Sequence, residues 1–215
     1  MNYAELEQAI KDWINKPNLG KIIPTIIRFG QRDLEDDLRI RPMEYNPTTA
    51  TVNAGTASLE LPSDYMELMY LTLLEGTVKH PISYRKDIKA MIQLAYNTDE
   101  TGLPVMVARV GDNLVFDVKT NIAYTRDWSY YRRLPVLVAA QSGTPPGNSN
   151  WWSVNAEEAF LMACINKASL YVPGISEADK KKWENAAAAT KERLRLKDSS
   201  ESTSGVTLRS EPWTL

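Results

Sequence analysis

In 215 residues the chain has one cysteine, Cys164, and one histidine, His80. A lone cysteine cannot close an internal disulfide, which is the usage expected of a reducing compartment. With a single histidine there is no H-E-x-x-H helix and no Cys/His framework to hold zinc within one chain. None of the ten glycines falls in the G-x-x-x-x-G-K-[ST] or G-x-G-x-x-G spacing of a phosphate-cradling loop. No run approaches the roughly 18 to 20 apolar residues of a membrane span. The opening MNYAELEQAI places acids where a signal peptide would be basic. These absences predict no cofactor, no metal and no membrane contact, in a chain made in the cytosol or in something assembled there. Charge of one sign is also missing: 25 Lys and Arg against 27 Asp and Glu leave −2, so no global field draws the protein onto a polyanion.

What is present, 43% apolar and 24% charged side chains, belongs to a folded globular chain. Tyr3, Leu6, Ile10, Trp13 and Ile14 recur at helical spacing before Pro17, Asn18 and Gly20. A second helix is expected over about residues 22–40, with Pro24 in its first turn. Its polar face carries Arg28, Arg32, Asp33, Glu35, Asp36 and Asp37, with Arg32 spaced to pair with Asp36. From residue 46 to 141 the period becomes that of strands. Short β-prone runs cover 49–53 and 58–61, joined by Ala54–Gly55 as a hairpin corner. Longer ones cover 66–74, 105–110, 114–118 and 122–133, interrupted by one amphipathic helix over 84–94. Residues 142–150 have no apolar side chain other than proline and read as a linker. Helical periodicity then resumes with Asn155 as the N-cap. Residues 159–165 are apolar all round, so this helix is covered on more than one side. Ser176 and Asp179 resemble a capping box opening a last helix that ends at about Lys197. The expected class is α+β: an antiparallel helical bundle core from 1–45 and 151–197, an antiparallel β-rich insertion over 46–141, and a flexible tail over 198–215.

Chemistry-bearing residues have structural readings beside functional ones. His80 lies three residues before Ser83, a pairing a hydrolase would use only with an acid brought in from elsewhere. Cys164 has apolar neighbours, where burial makes a thiol inert. The acids at 33–37 fan out by about 100° per residue on a helix, so no more than two share a face, and an ion-paired face is expected. Lys180, Lys181 and Lys182 read as exposed. Trp128-Ser129-Tyr130-Tyr131 with Arg132 and Arg133 has the stacking and cationic chemistry of a single-strand binder, or else lies on the buried face of a strand. Val206, Leu208, Trp213 and Leu215 are apolar points in a polar tail that would order only on a partner. Two further readings thus stand beside a structural one: a polymer-degrading hydrolase using paired carboxylates, and a single-stranded nucleic-acid binder.

Four stretches carry a resemblance to a known family. They are Tyr3-Ala4-Glu5-Leu6 with Ala9-Ile10, and Ile23-Pro24-Thr25-Ile26-Ile27-Arg28 with Arg39. The third is Leu59-Glu60-Leu61-Pro62-Ser63-Asp64-Tyr65-Met66-Glu67-Leu68, and the last is Tyr130–Tyr131 with Trp151–Trp152, Ala156 to Tyr171 and the closing basic helix. In order and spacing these resemble the bacteriophage head-to-tail adaptor proteins, the group that includes the podovirus tail tubular proteins of the A type. The resemblance implies a non-enzymatic virion protein of the neck, assembled in the host cytoplasm as a ring of about twelve copies. Such a ring would lie between the portal and a tail or nozzle protein and continue the channel for double-stranded DNA. It implies portal contacts at Val206, Leu208, Trp213 and Leu215, and a subunit-interface or core role for Phe160, Leu161, Cys164 and Ile165.

Overall fold

The computed structural model describes residues 1–16, 19–86, 89, 100–139 and 149–203. The chain is mixed α and β, divided into two compact units: Met1–Arg41 with Leu134–Leu215, and Pro42–Arg133.

The first unit is helical. Helix α1 (Tyr3–Ile14) opens with a capping box in which Asn2 accepts the Glu5 N–H and Glu5 accepts the Asn2 N–H. It closes at Asn15 in the left-handed region, φ 52°. Helix α2 (Ile23–Asp37) has Pro24 in its first turn, where the missing N–H leaves no gap. At its far end Arg39 donates to the Glu35 and Leu38 carbonyls. Three more helices follow: α3 (Trp151–Asn155), α4 (Glu157–Tyr171) and α5 (Glu177–Thr203). The expected cap at Asn155 does not form, since α4 follows Ala156 with no side-chain cap; the short α3 before it opens on Asn150, whose side chain accepts the Ser153 N–H. Ser176 Oγ accepts the Asp179 N–H at the start of α5.

Helices α1, α2, α3 and α5 all pack on α4. This explains a helix with no polar stripe at its middle: Phe160, Ala163, Cys164, Ile165 and Ala168 are buried. The closest approach is between α2 and α4, where a Cβ on Gly30 would lie 2.7 Å from Cys164 Sγ, 2.9 Å from its backbone N and 3.0 Å from its Cα. Helix α5 runs six residues past the expected stop at Lys197. Asp198 accepts the Arg41 N–H, and neither Gly nor Pro intervenes before Gly205, so the helix propagates once formed. Part of the expected tail is therefore helix.

Among the described residues the second unit holds eleven strands: β1 (Glu44–Tyr45), β2 (Ala50–Val52), β3 (Ser58–Glu60), β4 (Tyr65–Glu75), β5 (Val78–Pro81), β6 (Ser83–Arg85), β7 (Thr101–Gly102), β8 (Met106–Val110), β9 (Asn113–Phe116), β10 (Lys119–Thr120) and β11 (Tyr124–Arg132). One sheet has the order β1-β11-β4-β5 with β2 also on β11, a second is β3-β9-β8-β6, and β7 pairs with β10. The core between them contains Leu59, Leu71, Leu73, Val107, Leu114, Phe116, Tyr124, Trp128 and Tyr130.

The β-rich segment is not wholly antiparallel, because β6 runs parallel to β8 and β7 to β10. Nor are β2 and β3 a hairpin. They enter different sheets, and the Gly55 corner (φ +80°) is tied instead to Thr120: the Gly55 N–H donates to its carbonyl, and the Thr56 N–H to its hydroxyl at 2.9 Å. Of the helix expected over 84–94, Tyr84 and Arg85 are strand, pulled into register by Val107 and Ala108. Residues 87, 88 and 90–94 lie outside the described residues, as does the linker except Ser149 and Asn150. Leu134–Ala139, expected in the β segment, group with the helices.

Gly30→Ala gains about 1 kcal/mol in helix propensity but forces a methyl into backbone that cannot yield, at a cost of about 1 to 3 kcal/mol. Urea unfolding is expected to show a net loss of stability. Adding Cys164→Ala restores only part of it, since the nearby N and Cα remain.

Candidate functional site

The expected ion-paired face of α2 is resolved into two different environments. Asp33 and Asp37, one turn apart, share Lys191 of α5, with the Lys191–Asp37 contact at 2.5 Å, and Lys167 of α4 also pairs with Asp33. Arg195 donates to the Asp37 carbonyl at 2.9 Å. This network ties α2, α4 and α5 along one side. Partial burial works against the Asp33 charge, but the two ammonium groups outweigh it and hold its carboxyl below the ordinary range. Burial likewise opposes the charge on Lys191, and Asp33 and Asp37 raise its pKa in spite of it.

Glu35, by contrast, is fully buried at 0% exposure. Arg32 pairs with Glu35 at 3.6 Å. Glu35 Oε1 accepts from Gln31 Nε2 at 2.8 Å and from the Leu134 N–H at 3.1 Å. Gln31 Nε2 also donates to the Leu134 carbonyl, and Gln31 Oε1 accepts from Asn150 Nδ2 at 2.9 Å and from the Leu137 N–H. This node fastens the returning strand-like segment 134–137 and the start of α3 to α2. The sequence signal was available: Gln31 and Glu35 fall on the stripe of Ile27, Leu34 and Leu38, and a polar pair on an apolar stripe must find partners.

Phe160, Cys164 and Ile165 are buried by the chain's own helices, while Leu161 is half-buried against Met162, Ile165 and Trp183. Burial drives the Cys164 thiol pKa up, which leaves it un-ionised and unreactive. The aromatic run lies inside the sheet core. Trp128 and Tyr130 are each 1% exposed and pack with Tyr65, Arg126 lies over Trp128 at 4.5 Å, and Arg132 over Tyr45 at 4.3 Å. Burial, with Asp64 as the second cause, pushes the Tyr130 hydroxyl up to about 12. Bases cannot stack on rings already covered on both faces, so the single-strand reading loses its platform.

His80 stands on β5 beside Glu75 at 3.6 Å and edge-on to Tyr124, with Ser83 on the separate strand β6. Lys180 pairs with Glu177 at 2.6 Å, and Lys181 and Lys182 are exposed. A general acid must carry a proton near neutral pH. Asp33, whose charge Lys167 and Lys191 favour, is in the wrong state for that role. Among the described residues no group of three His, Cys, Asp or Glu converges to hold a metal, and no helix is long and apolar enough to cross a membrane. Val206, Leu208, Trp213 and Leu215 lie outside the described residues.

Large apolar side chains remain uncovered on both units. On the helical one they include Leu170 (65% exposed), Leu196 (62%), Val154 and Tyr171; on the sheet one, Val78, Val105, Tyr70 (44%) and Met69 (41%). The family described as SU10 adaptor protein matches residues 1–209 of the 215. The chain belongs to the SU10 adaptor protein family. It is thus a structural protein of the bacteriophage adaptor class. No curated protein matches it.

In this adaptor the lowered Asp33 pKa means that its pairing stabilises the fold fully above the unfolded carboxyl value of about 3.9. That contribution is lost as pH falls through the lower folded value. Asp33→Asn is expected to cost about 1 to 3 kcal/mol at pH 7 and to flatten the acid limb of a Tm-against-pH curve between about pH 5 and 2. A limb unchanged by the substitution would show that Lys167 and Lys191 do not hold this carboxylate in solution.

Proposed function

We propose that this adaptor assembles as a ring of about twelve copies between the portal of a DNA-filled head and a tail or nozzle protein, completing the head and continuing the DNA channel. The virion neck would be its location and the host cytoplasm the place of assembly. The observation that carries this reading is the match to an adaptor family over nearly the whole chain. Two features support it. Each unit has its own core, so a helical body and a sheet-rich arm can meet different neighbours. Each also leaves large apolar side chains in water, a cost that assembly removes. The near-zero net charge suits a conduit, since a cationic wall would bind passing phosphates and slow them.

In this reading the helices form the ring body, the sheet unit reaches toward the tail, and the segment containing Val206, Leu208, Trp213 and Leu215 grips the portal, ordering only on contact. That arrangement is what the resemblance in motif order to the tail tubular proteins of the A type implies.

Purified full-length protein mixed with portal rings is expected to give portal–adaptor complexes visible by electron microscopy. Deleting 206–215 is expected to weaken loading at least tenfold while leaving the Tm of the free chain unchanged. A truncated chain that loads like the full one removes the tail from the portal contact; a full-length chain that never loads removes the portal role.

A further inference from the structure

The outer face of the sheet built on β4 and β11 carries a feature that strand periodicity alone would not produce. Ser129 pairs with Tyr70 and Tyr130 with Leu68, so Met69 is an extra residue with no partner on β11. This bulge lets the adjacent Met69 and Tyr70 both be exposed, whereas neighbours in a regular strand face opposite sides. Ser129 Oγ donates to Met69 Sδ at 3.4 Å, and Tyr70 Oη donates to Asp127 Oδ1 at 3.2 Å, so the pair is held in place. Around it the register sets Glu44 and Glu67 on either side of Tyr131, with Asp127 on the other flank. The nearest lysine in register on this face, Lys79, is opposite Leu74, beyond Thr72. The result is a two-residue apolar knob in an acidic frame.

The helical unit carries a groove with a cation in its lining. A groove of about 460 Å³ lies between Tyr3 of α1, the first turns of α2 (Pro24, Thr25, Arg28) and residues 136–139. Arg28 is its one charged lining residue among those described, and its guanidinium rests over Phe29 at 5.5 Å. Val138 at the rim is 54% exposed.

We infer that the Met69–Tyr70 knob of one copy inserts into the Arg28 groove of the next, with Arg28 facing the acids around the knob. Both halves of the contact are on this chain and neither is self-complementary, so the contact is heterologous, the kind that closes into a ring. It rests on the ring reading for its closure, not for its chemistry. Truncation of the knob removes anchor residues of the class that dominates interface energies.

Full-length Tyr70→Cys protein mixed with full-length Val138→Cys protein, at high concentration or on portal rings, is expected to form disulfide-linked pairs on oxidation. The yield should be at least tenfold above a control pair of Tyr70→Cys with Lys181→Cys; native Cys164 is buried and does not compete. Arg28→Glu and Asp127→Arg are each expected to weaken self-association at least fivefold by sedimentation, and the chain carrying both to recover it. Cross-linking no better than the control, or single charge reversals without effect, overturns the contact, as does a wild-type chain that stays monomeric in both settings. Protection of Met69 and Tyr70 only by portal or tail protein also overturns it, since the knob then belongs to that partner. Charge-reversed chains that still load on portal as rings sink this contact and leave the adaptor role standing, whereas a wild-type chain that fails to load sinks the role itself.

Discussion

The helical unit depends on how closely α2 can approach α4. Backbone meets side chain at Gly30 and Cys164, with no space for a methyl group between them. Close approach lets Ile23, Ile26, Ile27 and Leu34 reach the flank of α4, and it does so in a helix whose central residues have no polar side to turn to water. The other helices then have fixed places on the remaining sides of α4. Glycine is a weak helix residue, and its place in the middle of α2 is explained by packing alone.

The same stretch of α2 organises the polar contacts that surround this core. Gln31 and Glu35 turn inward and take up backbone groups of Leu134 and Leu137 together with the amide of Asn150. Asp33 and Asp37 turn sideways to lysines on α4 and α5. One helix thus offers buried acceptors to the segment returning from the sheet unit and surface acceptors to the helix that follows. Because buried polar groups tolerate few alternative partners, the node specifies where residue 134 re-enters the helical unit.

For an adaptor, shape and contact area are the working parts. The sheet unit commits its aromatic run to its own core, where cations cap Trp128 and Tyr45, and leaves its outer face for others. A bulge at Met69 changes that face from a regular pleat to a raised pair. The helical unit is saturated inside, so what it offers outward is at its helix ends and along the groove beside Arg28.

Periodicity along the chain determined a good deal: the change from helical to strand spacing and back, Pro24 in a first turn, a helix apolar on every side at its middle, and an inert thiol within it. These are local or one-dimensional properties, set by which residues recur every two or every 3.6 positions. Motif order along the chain likewise pointed to the adaptor class. Only the tertiary structure decided that Glu35 is buried while Asp33 is paired at the surface, and that β2 and β3 enter different sheets. It also decided that a separate short helix opens on Asn150 ahead of α4, and that α5 continues past Lys197, where Asp198 meets Arg41. The burial, the pairing, the sheet choices and the helix extension turn on partners more than fifty residues away, and a side chain's spacing from its neighbours says which face it occupies without saying what will cover that face.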